Sequence, residues 1–468
     1  MKLLLVNPPR TDSIQSFMEH LSKFVIGHKP PLSLLYIASY VIENSSHQVK
    51  IIDCPPLHLG FKDVIKEIED YSPDVVGITA WTDFWYSVHT LTKMIKLTVP
   101  DVFIVLGGPH INIYSSMALE YSSADAAILG DGEEPMLELL NQLEKGERHL
   151  SIHPSILMRD ELGQKSPILY ICKDLDVLPI PDRRLLSLNN YTSVLSNKMY
   201  ITTMITSRGC PHHCVFCKMN YQKPVCRSAE NVIQEFQAIS DLGIQEVEVY
   251  DDTFTWSKQR VIDICKGLID RGIKINWAVR DRISNADIEC LQWMKKAGCN
   301  RIQYGIESGN DKILREIKKG ITVKQVREII AMAKAEGFIV LTYFMMGFIG
   351  ETYKDVMDTI NLAVELDTDY CQFSITIPYP GTTLYKDALE RGIIHNDFWA
   401  EFSKNPVENF LIPQFIEGEL RIKDLIKLKN LASRSFYLRP KYILREIVKT
   451  RNFYEFKRKF AMLVSLFG

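Results

Sequence analysis

The chain has 468 residues, 46% of them hydrophobic and 24% charged, with a formal net charge of −2. That length accommodates two or three domains, and the near-neutral balance excludes a global electrostatic pull toward nucleic acid. Ten cysteines, three of them within eight residues, suggest metal ligation in a reducing cytoplasm better than a disulfide framework.

Lys2–Val6 is an apolar run stopped by Asn7-Pro8-Pro9, too short for a signal peptide and patterned as a buried parallel strand feeding a loop. Pro30-Pro31 opens a helix. Val49–Asp53 reads as a second strand, Phe61–Tyr71 as an amphipathic helix, and Asp74–Ala80 as a third strand followed by a helix through Lys96. A fourth strand starts at Val102 and ends in Gly107-Gly108-Pro109-His110. A fifth, from Ala124, ends in Gly130-Asp131-Gly132-Glu133 and runs into the helix Pro135–Lys145. This alternation predicts an α/β fold with a doubly wound parallel sheet over residues 1–145. Such sheets bind ligands beyond the carboxyl ends of their strands. Gly107, Gly108, Gly130 and Gly132 fall at such ends, where a missing side chain lets a large ligand approach the backbone. Residues 146–198, with Leu178-Pro-Ile-Pro-Asp, read as a linker.

Residues 199–400 repeat the strand–helix alternation six times. The strands are expected at Tyr200–Ser207, 245–250, Ile275–Val279, 298–305, 338–350 and 372–377, which predicts a partial (β/α)6 barrel. The apolar stretch 338–350 is shorter than a membrane span and contains Thr342, so it reads as a buried strand. Residues 401–468 form a helical, basic C-terminal region. From Arg421 onward, thirteen Lys and Arg stand against Asp424, Glu446 and Glu455, interleaved with aromatics. Two readings stay open: an amphipathic arm on an anionic membrane surface, or a cap over the barrel with a solvated basic face. No nucleic-acid-binding motif accompanies the charge.

The first barrel strand delivers Cys210-Pro-His-His-Cys214-Val-Phe-Cys217. Thiolates at C-x3-C-x2-C spacing suit three irons of a 4Fe–4S cubane, leaving the fourth open. A zinc site, recruiting Cys226, His212 or His213, is the alternative. At the second strand's end stand Asp251 and Asp252. The fourth ends in Gly305-Ile-Glu307-Ser308-Gly309, the fifth in Gly347-Phe-Ile-Gly350-Glu351-Thr352, and the sixth in Pro378-Tyr-Pro380-Gly381-Thr382.

The cysteine motif, with Phe216 before its third cysteine, resembles the signature of the radical S-adenosylmethionine (SAM) superfamily, and the later motifs follow in the family's order. Asn7-Pro8-Pro9, Pro30-Pro31-Leu, Leu106-Gly-Gly-Pro-His and Gly130-Asp-Gly-Glu-Glu resemble the cobalamin-binding domain that precedes many radical SAM domains. The resemblance implies three cofactors: a 4Fe–4S cluster on Cys210, Cys214 and Cys217, SAM, and cobalamin. It implies SAM contacts from Phe216, Asp251, Asp252, Glu307, Ser308, Gly347 and Gly350. It implies cobalamin contacts from Asn7, Trp81, Thr82, Gly107, Gly108, His110, Gly130, Gly132 and Glu133, with the loop 80–83 as the floor beneath cobalt. The D-x-H-x-x-G motif that ligates cobalt in other cobalamin proteins is absent, since Asp53…His58 has the wrong spacing. His110 is therefore expected to touch the corrin without coordinating cobalt.

The implied reaction is methylation of an unactivated carbon in a small molecule or lipid, through a 5′-deoxyadenosyl radical and methylcobalamin. Radical cyclisation or oxidation without methyl transfer is the alternative, and a cobalamin sensor with a structural cluster is a third reading. A low-potential donor such as flavodoxin or ferredoxin, a cytoplasmic location and peripheral membrane contact through the tail complete the expectations. No catalytic acid or base is singled out.

Overall fold

The computed structural model describes residues 1–10, 27–146, 153–193, 195, 196, 198, 200–412 and 420–450. The described chain forms two compact units, the second interrupting the first: residues 396–412 return to the unit that holds 28–191. The linear division into sheet, linker, barrel and tail does not include that return. Nor does the segment after residue 152 stand apart, since most of it packs with the sheet.

In the first unit, β1 (Lys2–Asn7), β2 (Gln48–Asp53), β3 (Val75–Thr79), β4 (Phe103–Gly107) and β5 (Ala126–Ile128) are parallel, and β6 (Ile156–Met158) joins β5 antiparallel. Their order is β2-β1-β3-β4-β5-β6. The five parallel strands thus follow the flavodoxin-like order, whose switch point lies between β1 and β3. Leu3–Val6 are all buried, as a parallel strand covered on both faces requires. Helices Leu32–Asn44, Phe61–Tyr71, Trp85–Thr98, Ile111–Tyr121 and Glu133–Glu144 connect the strands. The returning helix Phe398–Lys404 is tied in by the Trp85 indole, which donates to the Ser403 carbonyl at 2.9 Å.

In the second unit, β7 (Ile201–Met204), β8 (Glu246–Val249), β9 (Asn276–Asp281), β10 (Cys299–Glu307), β11 (Ile339–Met346) and β12 (Tyr370–Ile375) pair in sequence order, all parallel. This is the six-stranded partial barrel. Among the described residues β7 and β12 do not pair, so β12 is an edge strand. Helix Ile422–Tyr437 covers that edge: the Tyr437 hydroxyl donates to the Cys371 carbonyl at 2.6 Å and accepts from its amide at 3.0 Å. Helix Pro440–Lys449 follows, with Arg439, Lys441 and Arg445 around Asp367 and Lys449 on Asp369. The described tail is therefore a barrel cap, and residues 451–468, central to the membrane expectation, lie outside the described residues. No described helix is long and apolar enough to cross a membrane.

Candidate cofactor sites

The cysteine loop leaves β7 and is suspended from the strand ends around it. Asp251, just past β8, is buried and accepts from four donors: the Thr206 and Ser207 amides at 2.6 and 3.1 Å and their two hydroxyls. Both its oxygens are consumed, so it positions the loop. The SAM contact expected of Asp251 would have to share those oxygens with the loop. Asp252 is exposed and accepts from the Gly209 amide at 2.9 Å through one oxygen. Gly209 has φ +103°, and a Cβ there would lie 2.4 Å from Tyr221 Cβ, so only glycine makes this turn. Farther along, the Val215 amide donates to the Ile317 carbonyl at 3.1 Å, and the Val215 carbonyl accepts from the Leu384 amide at 2.8 Å.

Charge surrounds the sulfurs. The Arg282 guanidinium donates to Cys214 Sγ at 3.3 Å and to the Lys319 carbonyl. Lys319 pairs with Glu307 at 2.7 Å and lies 5.9 Å from the Phe216 ring centroid. Burial pushes the Cys217 thiol up to about 11, with Cys214, Asp252 and Cys210 adding to the rise and Lys319 opposing it. Metal ligation reverses that order by deprotonating a coordinating thiol outright. The donor set suits an iron–sulfur cluster: three thiols share one loop, with a guanidinium on one sulfur. Cys226 lies in a short antiparallel pair, opposite Ser207. Among the described residues no group of three or more His, Cys, Asp or Glu converges as a single-ion site.

Glu307 has φ +74°, rare for a side chain with a Cβ, and the β10–β11 register shifts between Gly305 and Glu307. The salt bridge to Lys319 holds this strained residue at the strand mouth. A Cβ on Gly305 would lie 2.5 Å from Glu307 Oε1 and 3.1 Å from Lys319 Nζ, so a side chain there would displace the pair. Ser308, by contrast, is fully buried. Its hydroxyl meets Thr359 Oγ1 at 3.2 Å and accepts from the Asn310 amide at 3.2 Å. In this structure the Ser308 hydroxyl, expected at SAM, serves the fold. Gly347 and Gly350 both have positive φ, and Glu351 closes their loop by accepting from the Gly347 and Phe348 amides at 2.5 and 3.1 Å. Burial raises the Glu351 carboxyl to about 7, against the pull of those two amides. Phe348 meets Phe216 at 5.9 Å between centroids, linking this loop to the cysteines.

At the sheet unit's strand ends the outcomes also divide. Asn7 donates to Asp53 at 2.6 Å, and Tyr191 donates to the other Asp53 oxygen at 2.9 Å. Asn7 thus ties β1 to β2. His110 is completely buried: Nδ1 meets Thr82 Oγ1 at 3.3 Å, Nε2 meets Ser403 Oγ at 3.1 Å, and the ring stacks on Trp85 at 4.4 Å. Burial lowers its pKa to about 3, so the imidazole is neutral. His110 and the Thr82 hydroxyl, expected at the corrin, meet each other and Ser403 in this structure.

The glycines divide similarly. A Cβ on Gly108 would lie 2.8 Å from the Ala80 carbonyl, and one on Gly130 only 2.0 Å from that of Tyr170. Both make room for the chain's own backbone, because Tyr170 bridges alongside Gly130. Gly132 faces the Ile37 side chain, and Glu133 is buried at the start of its helix. Gly107 alone of the four would carry a Cβ with no contact closer than 3.8 Å. Trp81 is 52% exposed, two residues past the end of β3. An open glycine and an exposed indole at neighbouring strand ends fit a broad, flat ligand.

Arg282 and Lys319 were not singled out in the sequence. Their only signals are that Arg282 follows a strand end directly and that Lys319 precedes a glycine twelve residues after Glu307.

The profile of the radical SAM superfamily matches residues 204–363, and that of the B12 binding domain matches residues 26–140. An uncharacterized methyltransferase of Pyrococcus horikoshii is 35% identical over 459 residues, covering 97% of this chain and 96% of the relative. The chain belongs to the B12-binding radical SAM enzymes. The enzymes of this family use a 4Fe–4S cluster, SAM and cobalamin. The enzyme is also 25% identical over 375 residues to the anaerobic magnesium-protoporphyrin IX monomethyl ester cyclase of Rubrivivax gelatinosus, covering 78% of this chain and 67% of that one. Its fold matches that of TsrM, a radical SAM methyltransferase from Kitasatospora setae with cobalamin and a 4Fe–4S cluster bound. The TM-score is 0.69 at 18% identity, over 84% of this chain and 78% of TsrM.

Proposed function

We propose that the enzyme methylates an unactivated carbon of a small-molecule or lipid substrate, using two molecules of SAM per turnover. The observation that carries this reading is that one chain joins a cation-flanked three-cysteine loop to a B12-binding sheet. When bound, the cluster, SAM and cobalamin supply the radical initiation and the methyl carriage.

The chain's own part is placement. Cys210, Cys214 and Cys217 hold the cluster, with Arg282 and Lys319 offsetting the charge of the thiolates. Asp252, through its free oxygen, and Glu307 receive the amino and ribose groups of SAM. Phe216, Gly347 and Gly350 line its apolar side. Gly107 and Trp81 would face the corrin, and His110 would not reach it with a free nitrogen, since both its nitrogens are engaged by Thr82 and Ser403. Pre-positioning of this kind lowers the barrier by removing the need to gather the reactants.

The cyclase relative favours a second reading, radical oxidation or cyclisation without methyl transfer. For peripheral lipid contact the supporting feature is the exposed trio Leu444, Ile447 and Val448 on helix Pro440–Lys449, since the neighbouring cations are engaged with Asp367 and Asp369.

Anaerobic turnover with SAM deuterated at the methyl group decides the reaction type. Methyl transfer gives S-adenosylhomocysteine and 5′-deoxyadenosine in near-equal amounts and label on product. 5′-Deoxyadenosine alone, with unlabelled product, establishes the second reading. Replacing Cys210, Cys214 and Cys217 together by Ala abolishes both products.

A further inference from the structure

The concave face of the barrel sheet carries polar side chains that none of the loops described above uses. On β9, Arg280 is exposed while its neighbours Val279 and Asp281 are buried; on β12, Gln372 is exposed between buried Cys371 and Phe373. Period-2 alternation puts these exposed residues on the inner face. Register sets Gln303 of β10 beside Arg280, and Tyr343 of β11 beside Gln372. Tyr250, one residue past β8, completes the group, with the Arg280 guanidinium 4.0 Å from its ring centroid.

The cations nearest the cysteine loop and the barrel floor are already engaged. Arg282 bonds Cys214 and a carbonyl, Lys319 pairs with Glu307, and Arg301 pairs with Glu246 and Glu248 at 2.8 Å each. Arg280 differs. Among the described residues it makes no ion pair and no hydrogen bond; its guanidinium lies over the Tyr250 ring, and its charge also reaches Tyr343 and the Asp252 carboxylate at the neighbouring strand end. The surroundings are ordered: Glu248 hydrogen-bonds Tyr250, and the Tyr343 hydroxyl donates to Gln303 at 2.5 Å. A ring beneath the guanidinium restrains its plane and leaves the edge donors outward, in the fork geometry that matches carboxylate and phosphate oxygens. The position is also where barrel enzymes bind substrate, at the carboxyl end of a strand.

We infer that Arg280, seated on Tyr250 and flanked by Gln303 and Tyr343, binds an acidic group of the substrate, a carboxylate or a phosphoryl oxygen pair. The inference names the substrate class for the methyl-transfer reading and rests on it for what counts as substrate. The anion seat itself belongs to the barrel alone. One other molecule offers the same chemistry, since SAM carries a carboxylate, so the test separates the two.

The full chain, reconstituted anaerobically with cluster and cobalamin and saturated with SAM, is titrated with phenylphosphonate by isothermal titration calorimetry, with benzyl alcohol as the neutral control. Phenylphosphonate is expected to bind with SAM already in place and the alcohol to bind far more weakly. Arg280→Gln weakens phenylphosphonate about tenfold or more, the loss of a charge-assisted pair, and Arg280→Lys, keeping charge without the fork, falls between. Iron content and SAM affinity by equilibrium dialysis stay at the parent's values. The inference is overturned if the parent does not bind phenylphosphonate, if the alcohol binds as well, or if Arg280→Gln leaves phosphonate binding unchanged. It is also overturned if Arg280→Gln weakens SAM by the same factor, which assigns the guanidinium to the SAM carboxylate. Failure of the methyl-transfer reading appears separately, in the ratio of SAM-derived products.

Discussion

The two units fix their ligand-facing loops by different means. In the barrel, charge does it: Asp251 gathers four donors, Arg282 reaches a cysteine sulfur, and Lys319 restrains a strained Glu307. In the sheet unit neutral contacts prevail: His110 bridges Thr82 and Ser403, and Gly108 and Gly130 admit backbone at close range. The difference follows from what each loop must face. A loop of thiolates needs cations beside it, and a buried cation in turn needs its own acid. A loop proposed to meet a broad corrin needs shape, which Gly107 and the exposed Trp81 indole would provide.

The strongest way to break the comparison is Asp251→Ala. It strands two amides and two hydroxyls inside the fold, so the barrel should lose about 4 kcal/mol. Urea unfolding and iron content read the loss; a variant that keeps both shows that the cysteine loop stands without its acid. Lys319→Met comes next. It leaves Glu307 as an uncompensated buried carboxylate, at about 3 kcal/mol. Adding Glu307→Gln to that variant should restore most of the stability but not SAM affinity. If SAM affinity returns too, the pair serves the fold alone.

The sheet unit is probed by pH. Folding lowers the His110 pKa from 6.5 to about 3, so between those values the unfolded chain binds the extra proton. The stability His110 contributes is therefore complete above about pH 6.5 and is lost as pH falls toward 3. The loss is about 2 kcal/mol between pH 7 and 5. His110→Gln should reduce that slope, leaving the share of His89, which burial lowers to about 4, as followed by tryptophan fluorescence; an unchanged slope would place the titration elsewhere. Trp81→Ala has the smallest effect on the fold, less than about 0.5 kcal/mol at an exposed position. Equilibrium dialysis should nonetheless show weakened cobalamin binding, and unaltered binding would remove Trp81 from the site.

Much of this was legible in the sequence, because buried parallel strands are short apolar runs with glycine or acid at their ends. Phe61–Tyr71 matched its helix residue for residue, and all six barrel strands fell where the runs stood. The helix Ile111–Tyr121 was not expected. It starts without a side-chain cap, contains a non-helical Tyr114 and mixes Ile, Asn, Tyr and Ser early on. β6 is only three residues long and lies among polar turns. The return of 396–412 depends on Trp85 and His110 reaching Ser403, a contact across about 300 positions that no local pattern carries. The site divided along the same line. Cysteines declare themselves by spacing, whereas whether Asp251, Ser308 or His110 faces a ligand or its own fold is decided by packing.

The Tyr437 hydroxyl occupies the outward amide and carbonyl of Cys371 on an edge strand. An edge without such cover offers a template to any passing strand, the first step toward intermolecular pairing. Cutting the chain after Glu419 would thus do more than remove positive charge. It would uncover β12 along the length now shielded by helix Ile422–Tyr437, and the truncated protein should self-associate in a concentration-dependent way. Tyr437→Phe gives the milder version, exposing one rung of the ladder while keeping the helix in place.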